Sequence, residues 1–268
     1  MKLADSHCHI LDPRLVHRAE EIINRLHEDG LGFVVEISAS PQESKEALAF
    51  AEAHDNVYCT LGVHPHYAAE YNDEFERWAF VQKSKKIVAI GECGLDYFDH
   101  SKLPQSPYEG CTPRDIQKQV LIRHIILADK MKLPLVLHVR DAFEDMLEIL
   151  LEHKKYIKNG LLFHCFSEGD LCVERIREHF DAYFAFGGAV TYKNNKVSGE
   201  AIKTVPLDRL LVETDAPYLS PEPFRGKINE PKNVRVVAEY IARVLDIPFE
   251  DVAAATLENT KRFFRLIV

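Results

Sequence analysis

Leu3-Ala4-Asp5-Ser6-His7-Cys8-His9 is a short apolar run that ends in two histidines spaced two apart. On a β-strand, residues i and i+2 project to one face, so His7 and His9 would point the same way, as two ligands of one metal ion must. The apolar Met1, Leu3 and Ala4 before them fit a buried strand that delivers its last side chains into a site. The pattern recurs along the chain. Strand-like runs rich in Val, Ile, Leu and Phe fall at Lys2–His9, Gly32–Ser38, Val57–His64, Ile87–Asp96, Pro134–Arg140, Gly160–Phe166, Ala182–Gly187 and Arg209–Asp215. They are too continuous for half-exposed strands and fit parallel strands covered on both faces. Helix-like segments lie between them, among them Arg14–Asp29, Gln42–His54, Asp115–Met131, Ala142–His153 and Leu171–His179. About eight βα units point to an α/β fold of the (β/α)8 TIM-barrel type, with a doubly wound sheet as the competitor. The tail, Lys232–Val268, reads as helical and is expected to pack outside the barrel.

The chain has 268 residues, 46% of them hydrophobic, enough for one large core and a single domain spanning residues 1–268. No apolar run reaches the roughly 18 to 20 residues that span a bilayer, and the start lacks the pattern of a signal peptide, so a cytoplasmic protein is expected. Six scattered cysteines without a CxxC pair read as reduced thiols. A net charge of −9 argues against a protein that coats nucleic acid nonspecifically. It leaves room for a nuclease whose metals supply positive charge locally. His17, His27, His54, His153 and His179 sit among Glu, Lys and Arg and read as ordinary surface.

In a barrel of this kind the active-site groups come from the C-terminal strand ends. Here those ends carry His7 and His9, His64 and His66, Glu92 and Asp96, His138 and Arg140, His164, and Glu213 and Asp215. Unpartnered polar groups buried there would cost several kcal/mol each, so a purely structural protein has no reason to place them together. Four histidines with Glu92 and Asp215 are too many for one tetrahedral ion and fit two ions sharing a carboxylate. The expected division is His7, His9, Glu92 and Asp215 on one ion, and Glu92, His138 and His164 on the other. Such a pair polarises a phosphoryl or carbonyl oxygen and lowers the pKa of water, and Asp215 is the candidate to take the proton. Glu213, two residues earlier, reads as support for a ligand or loop, with direct ligation as the alternative.

The motifs Asp5-Ser6-His7-Cys8-His9, Gly62-Val63-His64-Pro65-His66, Gly91-Glu92-Cys93-Gly94-Leu95-Asp96-Tyr97, His138-Val139-Arg140, Phe163-His164-Cys165-Phe166-Ser167, Glu213-Thr214-Asp215-Ala216-Pro217-Tyr218-Leu219 and Arg225-Gly226-Lys227-Ile228-Asn229-Glu230-Pro231 together resemble the TatD family of metal-dependent deoxyribonucleases. The resemblance runs from about Leu3 to Phe264. It implies a TIM barrel and divalent-metal-dependent hydrolysis of phosphodiesters, often 3′-to-5′ on DNA, with RNA also accepted by some members. It places the six ligand positions on His7, His9, Glu92, His138, His164 and Asp215, and associates His64 with substrate phosphate, His66 assisting. Phe98–Arg114 departs from it, being several residues longer than the family's usual connection; it either shapes strand entry or is a tolerated insertion.

Arg140, Lys193, Arg225 and Lys227 follow strand ends and could contact a phosphate backbone, or be solvated charges. Arg225-Gly226-Lys227 is the best of these, because Gly permits close approach. Tyr97, Phe166 and Tyr218 adjoin ligand positions and either stack bases or pack under the rim. Two other functions compete with a nuclease. A small-molecule amidohydrolase or phosphotriesterase-like enzyme often bridges its metals with a modified lysine after the fourth strand, and no lysine occurs between Ile87 and Tyr97. A non-catalytic nucleic-acid-binding protein predicts a lost ligand, and none is lost. The mixed His and carboxylate shell leaves the ions open among Mg, Mn and Zn, and the oligomeric state is not encoded in these motifs.

Overall fold

The computed structural model describes residues 2–99 and 112–266. Eight strands, β1 Leu3–Cys8, β2 Leu31–Glu36, β3 Val57–Leu61, β4 Ile87–Asp96, β5 Leu135–Arg140, β6 Leu161–Phe163, β7 Ala182–Phe186 and β8 Leu210–Val212, pair in chain order. All pairs are parallel. Helices α1 Ala19–Arg25, α2 Pro41–Ala53, α3 Asp73–Val81, α4 Arg114–Met131, α5 Phe143–Glu152, α6 Asp170–Arg177 and α7 Val197–Thr204 connect them, followed by α8 Val234–Leu245 and α9 Phe249–Phe264. This is the TIM barrel expected from the alternating pattern. Helix α3 completes the set; Asn72 caps it by accepting from Phe75 N–H at 2.9 Å, and Asp73, Glu74 and Glu76 favour its N-terminal turn.

Parallel strands buried on both faces build two apolar layers. One contains Ala4, Phe33, Val35, Val136, Leu162, Tyr183 and Leu211; strand residues of the opposite parity, such as Leu3, Val34, Leu135, Leu161 and Leu210, face the helices. Phe263 and Phe264 of α9 join the first layer, and Phe263 lies against Gly160 at the start of β6. Each phenylalanine stabilises that end by about 1.5–3 kcal/mol through burial. The tail is therefore two helices rather than one: Asp246 turns left-handed and Pro248 follows. Instead of lying wholly outside, α9 packs over the N-terminal end of the barrel, and the site is left the opposite end.

Closure runs past the end of β8. Ala216 bridges Cys8, His9 N–H donates to Ala216 O at 2.7 Å, and Asp215 N–H donates to His7 O at 2.9 Å. Asp5, fully buried, accepts from Thr214 N–H at 2.9 Å and from the Thr214 hydroxyl, while Ser6 Oγ donates to Val212 O at 2.9 Å. The first and last strands are thus stitched by the motifs that carry His7, His9 and Asp215.

Strands β6 and β8 are shorter than the apolar runs predict. Beyond Phe163 and Val212 the backbone leaves the ladder, with positive φ at Cys165 (43°) and Asp215 (56°). His164 and Asp215 therefore sit on turns just past the strands. Left-handed conformations at non-glycine residues are strained and gather at functional sites. Most of the expected long loop Phe98–Arg114 lies outside the described residues.

Candidate metal centre

The C-terminal strand ends bring His7, His9, His64, His66, Glu92, Asp96, His138, His164, Glu213 and Asp215 into one buried cluster. Glu92 is its centre, 3% exposed at the middle of β4. One of its oxygens, Oε2, lies 3.4 Å from His7 Nε2 and 3.9 Å from His9 Nε2. The other, Oε1, lies 2.8 Å from His138 Nδ1, 2.7 Å from His164 Nε2 and 3.6 Å from His64 Nε2. Asp215 Oδ1 completes the Oε2 side, 3.3 Å from His9 Nε2 and 3.6 Å from His7 Nε2. The carboxylate therefore faces two separate sets of donors, one on each oxygen.

Hydrogen bonds on the far side of each ring decide which nitrogen has a lone pair to offer. His9 Nδ1 is 3.0 Å from Ile37 O, an acceptor only, so Nδ1 carries the proton and Nε2 is free to ligate. His138 is the mirror case: Nε2 donates to Asp96 Oδ2 at 3.1 Å, leaving Nδ1 toward Glu92. His164 Nδ1 faces Glu213 Oε1 at 3.5 Å, and its Nε2 faces Glu92. His64 is different. Its Nδ1 accepts the backbone N–H of His66 at 3.1 Å, so the proton of the neutral ring is on Nε2. That N–H points into the cluster as a donor, suited to an anion rather than to a cation.

Among the described residues, donor atoms within 4.8 Å of one another define four candidate cation-binding groups: His7–His9–Asp215, His64–Glu92–His138, His64–His66–Asp96 and His7–His164–Glu213. The tautomer of His64 argues against ligation in the two groups that include it. Glu213 is fully buried behind the histidines, where its Oε1 accepts from Cys165 N–H at 2.6 Å. It is placed to fix the turn that carries His164. His7 Nδ1 and Glu213 Oε2, both buried, have no hydrogen-bond partner. His7 also stacks on His164 with centroids 3.9 Å apart. Imidazoles stacked that closely, with orphaned nitrogen and oxygen atoms nearby, fit a site whose donor set is satisfied by cations.

Electrostatics agree with this picture. Burial raises the Glu92 carboxyl, but His164, His64 and the hydrogen bonds from His138 and His164 outweigh it and hold the group well below the usual carboxylate range. Burial acts on Asp215 in the same way, and the contacts with His9 and His7 again leave it lowered. Burial together with the nearby His138 keeps His64 neutral, well below its ordinary pKa. Burial lowers His9, yet Asp215 and Glu92 bring it to about 9.

Asp96 was legible as a strand-end carboxylate but had no role assigned. Its Oδ2 lies between His138 Nε2 and His66 Nε2, at 3.1 and 3.0 Å, and its Oδ1 accepts from Phe98 N–H at 3.0 Å. It orients the His138 ring. Two further residues escaped the sequence reading. Asn229, fully buried, donates from Nδ2 to Thr214 O and Tyr218 O, both at 2.8 Å, bracketing Asp215. His124 of α4, also fully buried, accepts from Val63 N–H at 3.1 Å and donates from Nδ1 to Val120 O at 2.9 Å, which fixes the turn before His64. Asn229 falls within the Arg225–Pro231 motif, which leaves its role unread, whereas only contact distant in sequence identifies His124.

The cationic residues line the rim. Arg140 lies over Phe98 (3.8 Å to the ring centre) and Arg225 over Tyr192 (4.2 Å), while Lys227 and Lys193 are exposed. Of the three aromatic candidates, Phe166 is buried among Phe163, Phe184 and Phe186. Tyr97 donates its hydroxyl to Asp145 at 2.7 Å and lies under Arg114. Tyr218 is the exposed one.

A TIM barrel that gathers histidines on both oxygens of a buried glutamate at its C-terminal end is a metal-dependent hydrolase. The sequence profile of the family described as TatD related DNase matches residues 4–265. An uncharacterized metal-dependent hydrolase of Bacillus subtilis, YabD, is 39% identical over 98% of this chain and 99% of its own. YcfH of Escherichia coli, also an uncharacterized metal-dependent hydrolase, is 34% identical over 99% and 97%. The crystal structure of YjjV, a TatD homologue from Escherichia coli, superposes with a TM-score of 0.87 at 28% identity over 98% of both chains. The chain belongs to the TatD-related DNase family.

Proposed function

We propose that this protein hydrolyses phosphodiester bonds of DNA with two divalent metal ions, acting on single strands from the 3′ end, with RNA as a further substrate. The observation that carries the reading is the two-sided placement of Glu92. In it, His7, His9, Glu92 and Asp215 hold one ion, and Glu92, His138 and His164 the other, the ions being Mg, Mn or Zn. Bound there, such ions polarise a phosphoryl oxygen and bring the pKa of water toward neutrality.

The remaining work belongs to side chains. His64 donates from Nε2 to a phosphoryl oxygen, a role supported by the tautomer that its contact with His66 N–H imposes. Asp215, whose side chain keeps 13% of its surface exposed, takes the proton of the attacking water on its carboxylate. Asp96 holds the ring of His138, and Glu213 holds the turn that carries His164. Arg140, Arg225 and Lys227 contact the phosphates flanking the scissile one, and His66 assists His64 at the phosphate. The free state of the described cysteines accords with work in the cytoplasm. No described helix is long and apolar enough to cross a membrane.

The test is hydrolysis of single-stranded DNA labelled at either end by metal-stripped protein, with Mg or Mn added back and His138→Ala and Glu92→Ala in parallel. Stepwise, metal-dependent loss from the 3′ end, absent in both variants, is the expected result. No cleavage of DNA or RNA with metals demonstrably bound would reject this reading in favour of a small-molecule hydrolase.

A further inference from the structure

The wall after β8 differs from the rest of the rim. Residues 223–228 form an exposed run that includes Phe224 and Ile228 (37% and 53% exposed), and Tyr218 and Leu219 (37% and 40%) are exposed before it, with Ser220 and Pro221 buried between. Arg225 and Lys227 are interleaved with them. Tyr218 sits at the inner end of this shelf and is built in from several directions. Its ring centre lies 5.9 Å from that of His9, the rings perpendicular. Arg14 covers one face, with its guanidinium carbon 4.2 Å from the ring centre. Its hydroxyl donates to Asp12 Oδ2 at 3.2 Å, and Asp12 also accepts two hydrogen bonds from the Arg14 side chain, both 2.9 Å. Asn229 holds its carbonyl.

We propose that Tyr218 is a base platform, on which the nucleobase next to the scissile phosphate stacks, and that the shelf from Leu219 to Ile228 carries the adjoining single strand. This rests on the nuclease reading and gives it a source of strand preference. A chain of net charge −9 has exposed apolar side chains alternating with two cations in the segment that follows Tyr218, whose ring adjoins His9 of the candidate centre. Unpaired bases on an anionic backbone have the matching chemistry, since every base presents a π-face to an aromatic ring. In a duplex those faces are stacked on each other and unavailable. Arg14, its charge balanced by Asp12, stiffens the platform rather than gripping phosphate. Phe166 and Tyr97 cannot share the role, the first being buried and the second turned to Asp145.

The experiment compares wild type, Tyr218→Leu and Tyr218→Phe, each loaded with Mn. The substrates are a single-stranded oligonucleotide and the same oligonucleotide ending in 3′-terminal abasic nucleotides. A platform predicts that Tyr218→Leu raises KM about ten-fold on the normal strand with kcat within about three-fold. On the abasic end the two proteins should have equal KM, and Tyr218→Phe should match wild type on both. Thermal melting of the variants identifies any that fail to fold, and Phe224→Ser on the outer shelf then serves as the second probe, with a smaller KM rise expected on the normal strand alone. Equal changes on both ends, or none on either, would overturn the platform while leaving the nuclease in place. Wild type that cleaves neither strand would overturn both.

Discussion

Replacing Asn229 with alanine should loosen Asp215 without touching it. Asn229 Nδ2 donates to the carbonyls of Thr214 and Tyr218, both at 2.8 Å, on either side of Asp215, while its Oδ1 accepts from Asn233 Nδ2 at 2.8 Å and Glu230 N–H at 3.0 Å. Thr214 is fully buried, so its carbonyl would be stranded, which costs about 1–3 kcal/mol. The Tyr218 carbonyl belongs to an exposed residue that water reaches, and its bond is worth about 1 kcal/mol. Together the loss comes to about 2–4 kcal/mol, a fall in Tm of about 4–8 °C for a domain of this size. Because Asp215 sits at φ 56°, a turn that relaxes would also move its carboxylate away from His7 and His9. Differential scanning fluorimetry, with and without Mn, and competition against a chelator read the two effects separately. Asn229→Asp is the control, since it keeps an acceptor but aims an oxygen at two carbonyls, and it should be at least as damaging. Melting within 2 °C of wild type together with unchanged metal affinity would refute the reasoning.

Three further outcomes are expected. Asp96→Asn removes the charged acceptor that fixes His138, and should weaken metal affinity about 10- to 100-fold by chelator competition; an unchanged affinity sinks that role. Gly94→Ala should prevent folding or abolish metal binding. Its φ is 154° and an added Cβ would lie 1.9 Å from His138 O, where the β4–β5 ladder has no slack, so a soluble, active protein would contradict the register. His124 should contribute a pH-dependent stability. Burial pushes it from 6.5 down to about 4, so between those values the unfolded chain holds a proton the folded chain excludes. Stability is fully present above about pH 6.5 and falls on acidification toward pH 4, by up to about 3 kcal/mol. Urea unfolding at pH 7.5 and 5 should show His124→Gln losing about 2 kcal/mol less than wild type; identical losses would show that the group does not titrate in this window.

How far the sequence could be read follows from how local each signal is. Continuous Val, Ile, Leu and Phe runs mark buried parallel strands whatever follows, so β1 to β8 were placed to within a few residues and the barrel with them. His7 and His9 announced themselves because a strand has period two. The end of β6 is overestimated because Cys165 and Phe166 keep the run apolar while the backbone turns, and that of β8 because nothing in the polar Glu213-Thr214-Asp215 marks the turn; a positive φ at a non-glycine leaves no compositional mark. Asp96 and His66 were visible as residue types, but their joint hold on His138 depends on a side-chain angle. Asn229 and His124 act on a carbonyl and an amide 15 and 61 positions away, so the motif around Asn229 marks its place but not its role, and His124 has no local signature at all. The helical tail was recognised by its pattern, whereas its seat beneath the barrel came from Phe263 and Phe264 meeting strand residues.

The seam between β1 and β8 sets the moment at which the enzyme comes into being. Asp5 and Thr214, which tie it, are 209 positions apart, and His7 and Asp215 face each other across it. A chain still emerging from the ribosome carries the His7–His9 pair for most of its synthesis with only Glu92 to face it. Only when Asp215 has been made and the last strand has docked does that half of the centre acquire the second of its carboxylates. A product truncated before residue 213 would carry His7, His9, Glu92, His138 and His164 but neither Glu213 nor Asp215. On the two-ion proposal such a product would lack part of its donor set, and a metal ion seated between His9 and Asp215 would act as a latch joining strands made at opposite ends of synthesis.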